Sequence, residues 1–264
     1  MKMNKIYFLL GILIIVSHTL SAQNQVTFIP PESTPKIKID TIIQVVDAAK
    51  NLKHFTIQEN DITVQDGYLM NNKKSGKWFI YYPNGVLLSL SEYENGLKNG
   101  IYLECEKGGA VLVQETYKND KLDGEQKKYF NAKAGRILKT SNNFKEGKFH
   151  GTCTEYSENG LVQNQVQYNN GKKDGATKWY FSNGKLAMEQ VYTNEMLNGT
   201  QKIYNQQGIL LSEGKFENNL KTGQWTEYYD SGKMKAQGNY TADKKSGAWK
   251  LYDEAGNLSK TENF

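Results

Sequence analysis

GQWTEYYDSGKMKAQGNYTADKKSG, residues 223–247, decides the fold, because most of the chain consists of copies of this stretch. Each copy opens with Gly, which we take as repeat position 0. Every spacing between opening glycines is 24 residues except the third, which is 27. A fixed period in this range predicts an array of repeats in which each unit packs only on its neighbours. The opening residues are Gly76, Gly100, Gly124, Gly151, Gly175, Gly199, Gly223 and Gly247.

Each repeat has the pattern of a β-hairpin. Repeat position 5 is Tyr in seven of the eight repeats, and repeat position 17 is aromatic in all eight, with a shift of three in the long repeat. Between them lie pairs such as Asn84-Gly85 and Asn183-Gly184, which supply the positive φ of a tight hairpin turn. A Gly, Asn or Asp at repeat position 20, with Glu195 as an exception, predicts a longer return loop with left-handed backbone.

The same pattern predicts which side chains meet. With the tight turn near repeat position 8, repeat position 5 opposes repeat position 11 across the hairpin, as Tyr228 with Met234 and Tyr180 with Leu186. The ring at repeat position 17 approaches repeat position 2 of the next repeat. Two examples are Phe216 with Trp225 and Tyr240 with Trp249.

We therefore predict an all-β fold, an elongated and twisted antiparallel sheet of tandem 24-residue β-hairpin repeats over residues 76–264. Residues 52–75 keep the register in outline and form a degenerate repeat that caps the array. The extra residues of the long repeat fall near the loop NAKAG, residues 131–135. At the usual strand spacing, nine hairpins give about eighteen strands and a coiled ribbon roughly 85 Å long.

The N-terminal residues 1–22 have the pattern of a secretory signal peptide, and the sequence leaves open whether cleavage follows Ser21 or Ala22. The apolar run, residues 6–16, is too short to span a bilayer, so we expect no transmembrane span after cleavage. We expect export to the periplasm, the cell envelope or the outside. Residues 23–51 form a leader whose apolar pattern near Thr41–Lys53 fits a short helix or a strand.

Charge and cysteine content narrow the function. Removing the signal peptide with its two lysines takes the net charge from +5 to +3, which is too weakly basic to indicate nucleic-acid binding. Cys105 and Cys153 lie two repeats apart, roughly 19 Å at about 4.8 Å per strand, which is too far for a disulfide. We expect two unpaired thiols in packing positions.

The segments GKWFIYYPNGVL, residues 76–87, and YNNGKKDG, residues 168–175, carry a family likeness. They resemble the MORN-repeat variant of bacterial proteins, which includes antitoxin-like proteins of the YwqK type. The resemblance covers residues 52–264. It implies a β-hairpin array that contacts proteins or lipids, with no catalytic or cofactor-binding residues to carry over.

The residues themselves offer little for catalysis. After signal removal only His54 and His150 remain, far apart in a one-dimensional array, and neither a catalytic triad nor a cluster of metal ligands can be assembled around them. We therefore expect no enzyme, no metal and no cofactor.

Three functions remain. The first is a non-enzymatic exported scaffold that binds another protein at the bacterial envelope. The second is a glycan- or lipid-binding envelope protein that uses its aromatic face and a row of lysines at repeat positions 21 and 22. The third is an antitoxin or immunity protein. The candidate binding residues are the four tryptophans, two lysine pairs and the lysine-free stretch at Met196: Trp78, Trp179, Trp225, Trp249, Lys172, Lys173, Lys244, Lys245, Met196 and Leu197.

Overall fold

The computed structural model describes residues 37–130 and 136–264. The predicted signal peptide, the first part of the predicted leader and the NAKAG loop lie outside these residues. The described chain contains strands and turns without a helix. The strands are β1 (Ile39–Asp47), β2 (Leu52–Glu59), β3 (Ile62–Met70), β4 (Lys73–Tyr81), β5 (Leu87–Glu94), β6 (Leu97–Cys105), β7 (Val111–Lys118), β8 (Lys121–Leu122), β9 (Gly124–Tyr129), β10 (Leu138–Lys145), β11 (Lys148–Phe149), β12 (Gly151–Tyr156), β13 (Val162–Asn169), β14 (Lys172–Tyr180), β15 (Leu186–Thr193), β16 (Met196–Leu197), β17 (Gly199–Tyr204), β18 (Leu210–Glu217), β19 (Leu220–Tyr228), β20 (Met234–Thr241), β21 (Lys244–Tyr252) and β22 (Leu258–Asn263).

All 22 strands form one antiparallel sheet in which each strand pairs with its neighbours along the chain. The two-residue strands β8, β11 and β16 are the beginnings of strands that continue, after a short break, as β9, β12 and β17. The sheet is therefore an open meander of tandem hairpins that begins at β1 and ends at β22. This confirms the predicted fold class.

In the leader, where the sequence fits either a helix or a strand, the structure has a strand. β1 pairs with β2 over residues 39–47. The segment 52–75 contains the hairpin β2–β3, whose strands pair from Leu52 opposite Met70 to Glu59 opposite Ile62. The β-branched run in the leader thus extends the sheet by one strand before the repeats begin.

The connection at repeat position 20 is shorter than expected. β18 ends at Glu217 and β19 begins at Leu220, so only two residues join them. Asn218 and Asn219 have φ angles of 49° and 69°, the pair of left-handed residues that defines a type I′ turn. The prediction of left-handed backbone at repeat position 20 is confirmed, including φ of 73° at Glu195, but the prediction of a longer loop is wrong.

The connection that contains the Asn-Gly pairs is the longer one. In the repeat at Gly223, the amide of Tyr229 donates to the carbonyl of Lys233, and the amide of Gly232 donates to the carbonyl of Tyr229. Three residues therefore form the loop, and Gly232 is left-handed with φ of 83°. This geometry is a type I turn followed by a bulge. The first member of the pair has another role, since Asn183 accepts from the amide of Lys185 through Oδ1 at 3.0 Å.

The opening Gly of every repeat also has positive φ, between 62° at Gly223 and 141° at Gly199. At this point the register between the strand that contains the Gly and the preceding strand shifts. On β20 and β21, Asn239 pairs with Ser246 and Gln237 pairs with Lys250, so residues 247–249 fill the interval that one residue fills on β20. A left-handed residue is needed to make this bulge, which explains the choice of Gly.

The predicted side-chain pairs across each hairpin are confirmed. Tyr228 pairs with Met234 and Tyr180 pairs with Leu186, each beside a register shift. The two cysteines behave as expected too, because Cys105 and Cys153 are buried, unpaired thiols. Burial raises the pKa of both thiols, so they stay protonated and serve as packing groups.

Candidate functional site

Three tryptophans at repeat position 2 are buried on one side of the sheet, which we call the Trp face. Trp249 has no exposed surface, and Trp78 and Trp225 are almost as buried. Each indole covers a Gly eleven residues earlier on the preceding hairpin. A Cβ atom placed on Gly238 would lie 2.3 Å from Trp249, so only Gly leaves room for the ring. Gly214 under Trp225 and Gly67 under Trp78 repeat this contact.

Aromatic rings at repeat position 17 flank these tryptophans. Phe216 lies 5.4 Å from Trp225 and Tyr240 lies 5.2 Å from Trp249, centroid to centroid and edge to face. The predicted contact between repeat positions 17 and 2 is therefore confirmed. Each indole Nε1 also donates to a backbone carbonyl, as Trp249 does to Asn239 at 3.0 Å. The three indole N–H groups are therefore hydrogen-bonded within the sheet.

Lysines at repeat position 22 complete this arrangement. The Nζ atom of Lys221 lies 4.2 Å from the centroid of Trp225 and 5.1 Å from that of Tyr240. Lys245 has the same relation to Trp249 and Phe264, and Lys173 lies 5.3 Å from Tyr192. These are cation–π contacts. Lys173 and Lys245 therefore cover aromatic rings of their own sheet.

Burial of the tryptophans bears directly on the hypothesis that the aromatic face binds a glycan. A pyranose needs the open face of a ring, and the faces of Trp78, Trp225 and Trp249 are covered by Gly, Lys and neighbouring rings. Trp179 stands apart from them at repeat position 4, half-buried and paired with Met188. The four tryptophans therefore do not form one platform.

The middle of the array has polar side chains where the ends have tryptophan. Gln126 occupies repeat position 2 and donates through Nε2 to Glu115 at 2.7 Å, with both side chains buried. Tyr117 donates to the same carboxylate at 2.7 Å. Burial, followed by the bond to Glu115, raises the pKa of Tyr117 far above its usual value. Thr177 is fully buried, and its hydroxyl has no hydrogen-bond partner among the described residues.

A second set of side chains lies directly after each two-residue turn, at repeat position 21 with a shift of three in the long repeat. Because neighbouring strand residues point to opposite sides, these side chains are on the other side of the sheet from repeat position 22. All eight are exposed. We call them the turn row: Lys73, Leu97, Lys121, Lys148, Lys172, Met196, Leu220 and Lys244.

Two consecutive members of the turn row are large apolar residues. Met196 is 41% exposed and Leu220 is 42% exposed, and Lys172 and Lys244 follow on either side. The sequence identified Met196, Lys172 and Lys244, but it grouped Met196 with Leu197, which is half-buried at repeat position 22. The sequence analysis did not identify Leu220. The repeat could have indicated it, since Leu220 lies one 24-residue period after Met196.

The backbone beneath the turn row is held by hydrogen bonds between repeats. The amide of Asn219 donates to the carbonyl of Leu197 at 2.9 Å, and Asn219 Oδ1 accepts from the amide of Leu197 at 2.7 Å. Asp243 makes the same two bonds with Lys221. The carboxylate of Asp243 is thus engaged with backbone. The lysines of the turn row stay exposed beside it.

The described residues contain no group of three or more His, Cys, Asp or Glu side chains placed to hold a metal ion. The described residues form no helix long and apolar enough to cross a membrane. A surface groove of about 440 Å³ near the repeat at Gly223 is lined by polar, aliphatic and aromatic side chains, among them Trp225, Tyr228 and Lys235.

Comparison with known families gives one match. The model of the MORN repeat variant matches residues 74–95, 149–170, 173–194 and 221–242, together one third of the chain. No curated protein matches the chain. MORN repeats often mediate protein or membrane binding and generally form non-enzymatic scaffolds. Four repeats of this sheet are therefore similar to the MORN repeat variant.

Proposed function

We propose that this chain is an exported, non-enzymatic repeat scaffold that binds a protein partner at the bacterial cell envelope. The signal-like pattern of residues 1–22 supports export. Similarity of four repeats to a family whose members often bind proteins or membranes supports a binding role. The partner's identity decides whether this scaffold acts as an immunity protein, in which case the partner is a toxin.

The turn row carries this proposal. Met196 and Leu220 are consecutive members of the turn row and present exposed apolar side chains, with Lys172 and Lys244 on either side of them. The backbone beneath them is held by hydrogen bonds between repeats. An apolar centre with a polar rim is the usual arrangement of a protein interface. The surface fits a partner that offers an apolar side chain between carboxylates.

Site-specific photocrosslinking in the producing cell tests this. A photoreactive amino acid at Met196 or Leu220 is expected to give a discrete crosslinked product, whereas the same group at Leu258 is expected to give none. Leu258 is a matched control because it is also exposed and apolar but lies outside the turn row. The double substitution Met196→Glu and Leu220→Glu is expected to abolish partner capture by the tagged chain. Equal crosslinking from all three positions would overturn the proposal.

An anionic membrane surface is the second candidate, and the five lysines of the turn row favour it. Cosedimentation with vesicles of phosphatidylcholine containing phosphatidylglycerol distinguishes the two. Lipid binding predicts sedimentation that is lost on Lys172→Gln with Lys244→Gln and suppressed by salt. Protein binding predicts no sedimentation together with the crosslinks described above.

A further inference from the structure

The first strand of the sheet is an unprotected edge. β1 pairs with β2 and with no other described strand. Within β1, Ile39, Ile43 and Val45 are 68%, 53% and 66% exposed. β1 contains no Lys, Arg or Pro, the residues most often used to keep an edge strand from pairing with another chain, and its two charged residues, Asp40 and Asp47, lie at or next to its ends. Five of its nine residues are Ile or Val, so this edge is open to strand addition.

The backbone of β1 shows which groups are free. The carbonyl of Lys38 accepts from the amide of Asn60 at 2.9 Å, so Lys38 directs its backbone toward β2. In an antiparallel pair the direction alternates along the strand. Hence the amides and carbonyls of Ile39, Thr41, Ile43 and Val45 point away from β2. The side chains of the same four residues share one side of the sheet.

The opposite edge of the sheet is protected. β22 is six residues long and carries Lys260 and Glu262, whose side chains are 2.8 Å apart. Charged residues on a short edge discourage pairing with another strand. A head-to-tail contact between β1 of one copy and β22 of the next is therefore disfavoured. The occupant of β1 must come from elsewhere.

We propose that the occupant is a second copy of this chain, paired through β1 about a two-fold axis. The strand is self-complementary when Ile42 lies opposite Ile42 of the second copy. In this register Ile39 faces Val45 and Thr41 faces Ile43, so the free amides and carbonyls of both edges are paired.

Side-chain chemistry supports this register. All cross-strand pairs on one side combine β-branched residues, which pack well on a pleated surface. On the other side Asp40 lies opposite Gln44, so no like charges oppose each other. The apolar side continues onto β2, where Thr41 and Ile43 pair with Ile57 and Phe55. Phe55 packs on Trp78 at 5.4 Å, so the two Trp faces join across the dimer.

Disulfide trapping tests the register. In the proposed dimer the two Ile42 residues lie opposite each other at a position without backbone hydrogen bonds, where Cα atoms are about 4.5 Å apart. A disulfide can form at this distance. The variant Ile42→Cys of the full chain, as the producing cell processes it, is expected to form a covalent dimer on mild oxidation. Leu258→Cys is the control at the other edge and is expected to stay monomeric. The native cysteines are buried and do not interfere.

Sedimentation equilibrium provides an independent measurement. The wild-type chain is expected at twice the monomer mass, Ile43→Lys at the monomer mass, and Leu258→Lys at the dimer mass. Because Ile43 is exposed, its substitution leaves the fold intact, which circular dichroism checks. A monomeric wild type overturns the proposal, and so does a dimer that Ile43→Lys leaves unchanged. A mixed disulfide between Ile42→Cys and Leu258→Cys overturns it in favour of head-to-tail assembly. This inference does not rest on the proposed function.

Discussion

The repeats at Gly223 and Gly247 place Trp225 and Trp249 at repeat position 2, each over a Gly, whereas the repeats between Gly124 and Gly199 fill the same place with paired side chains. These pairs are Glu115 with Gln126, Asn142 with Cys153, Val166 with Thr177, and Gln190 with Gln201. The comparison teaches that the same place in the sheet can be filled in two ways. One large ring over no side chain occupies the place of two medium side chains.

The two solutions differ in energy. An indole removes far more apolar surface from water than an amide or a hydroxyl, and buried polar groups must all be hydrogen-bonded to avoid a cost. In an array where each unit contacts only its neighbours, stability is set locally. We therefore expect the middle of the sheet to open more readily than its C-terminal part. Four pairs or sets of variants test this difference.

The largest effect is expected from Trp225→Ala. The ring is buried between Phe216 and Tyr240, so its loss is expected to reduce the free energy of unfolding by about 3–5 kcal/mol. The equivalent change in the middle, Gln201→Ala, removes one hydrogen-bonded amide and is expected to cost about 1 kcal/mol. Urea unfolding measures both. Equal losses would contradict the comparison.

Gly238→Ala is expected to cost about 1–3 kcal/mol, because its Cβ would meet Trp249 at 2.3 Å. The double variant Gly238→Val with Trp249→Thr recreates the Val166 and Thr177 pair. It is expected to be more stable than the sum of its single variants by about 1 kcal/mol or more in a double-mutant cycle. Additive losses would show that the two positions are not coupled.

Thr177→Val is expected to raise stability by about 1 kcal/mol. The Thr177 hydroxyl is fully buried without a hydrogen-bond partner among the described residues, so a methyl group of similar size removes a desolvation cost. The control is Thr226→Val, because the buried Thr226 hydroxyl accepts from Gln237 at 3.3 Å and its loss is expected to destabilise. Thermal unfolding distinguishes them. A drop in melting temperature for Thr177→Val would argue against this account.

The smallest effect is expected from Lys221→Gln. Its ammonium lies over Trp225 and Tyr240, and loss of the cation–π contact is expected to cost about 0.5–1 kcal/mol. Lys172→Gln changes an exposed lysine of the turn row and is expected to stay within about 0.5 kcal/mol of the wild type. Denaturant titrations of both variants, run in parallel, provide the comparison. If the two changes prove equally costly, repeat position 22 has no special role.

Sequence reasoning predicted much of this fold because the repeats are local. The pairing of Tyr228 with Met234 follows from one hairpin, and the approach of Tyr240 to Trp249 follows from the next. The sequence analysis assigned the short and the long connection of each repeat the wrong way round, and the reason is physical. Asn and Gly suit both a type I′ turn and a type I turn with a bulge, so the dipeptide alone does not choose between them.

The same reversal limited the prediction of the site. Lys172 and Lys173 were grouped because both were assigned to a loop, where side chains have no fixed alternation. In the structure they are strand residues on opposite sides of the sheet, so Lys172 is exposed and Lys173 covers Tyr192. The Gly under each of the three buried tryptophans could have been found from the sequence, since Gly238 precedes Trp249 by eleven residues. The contact itself depends on the bulge at Gly247.

By itself the sequence determined the repeat, the hairpins and the order of strands, because these depend on short-range periodicity and on the left-handed preference of Gly and Asn. The tertiary structure alone decided which side each lysine occupies, which tryptophans are buried and which edge is open. Those properties depend on the bulges and on the register between strands, which turn geometry and the packing of side chains between neighbouring strands set together and which no single repeat shows by itself.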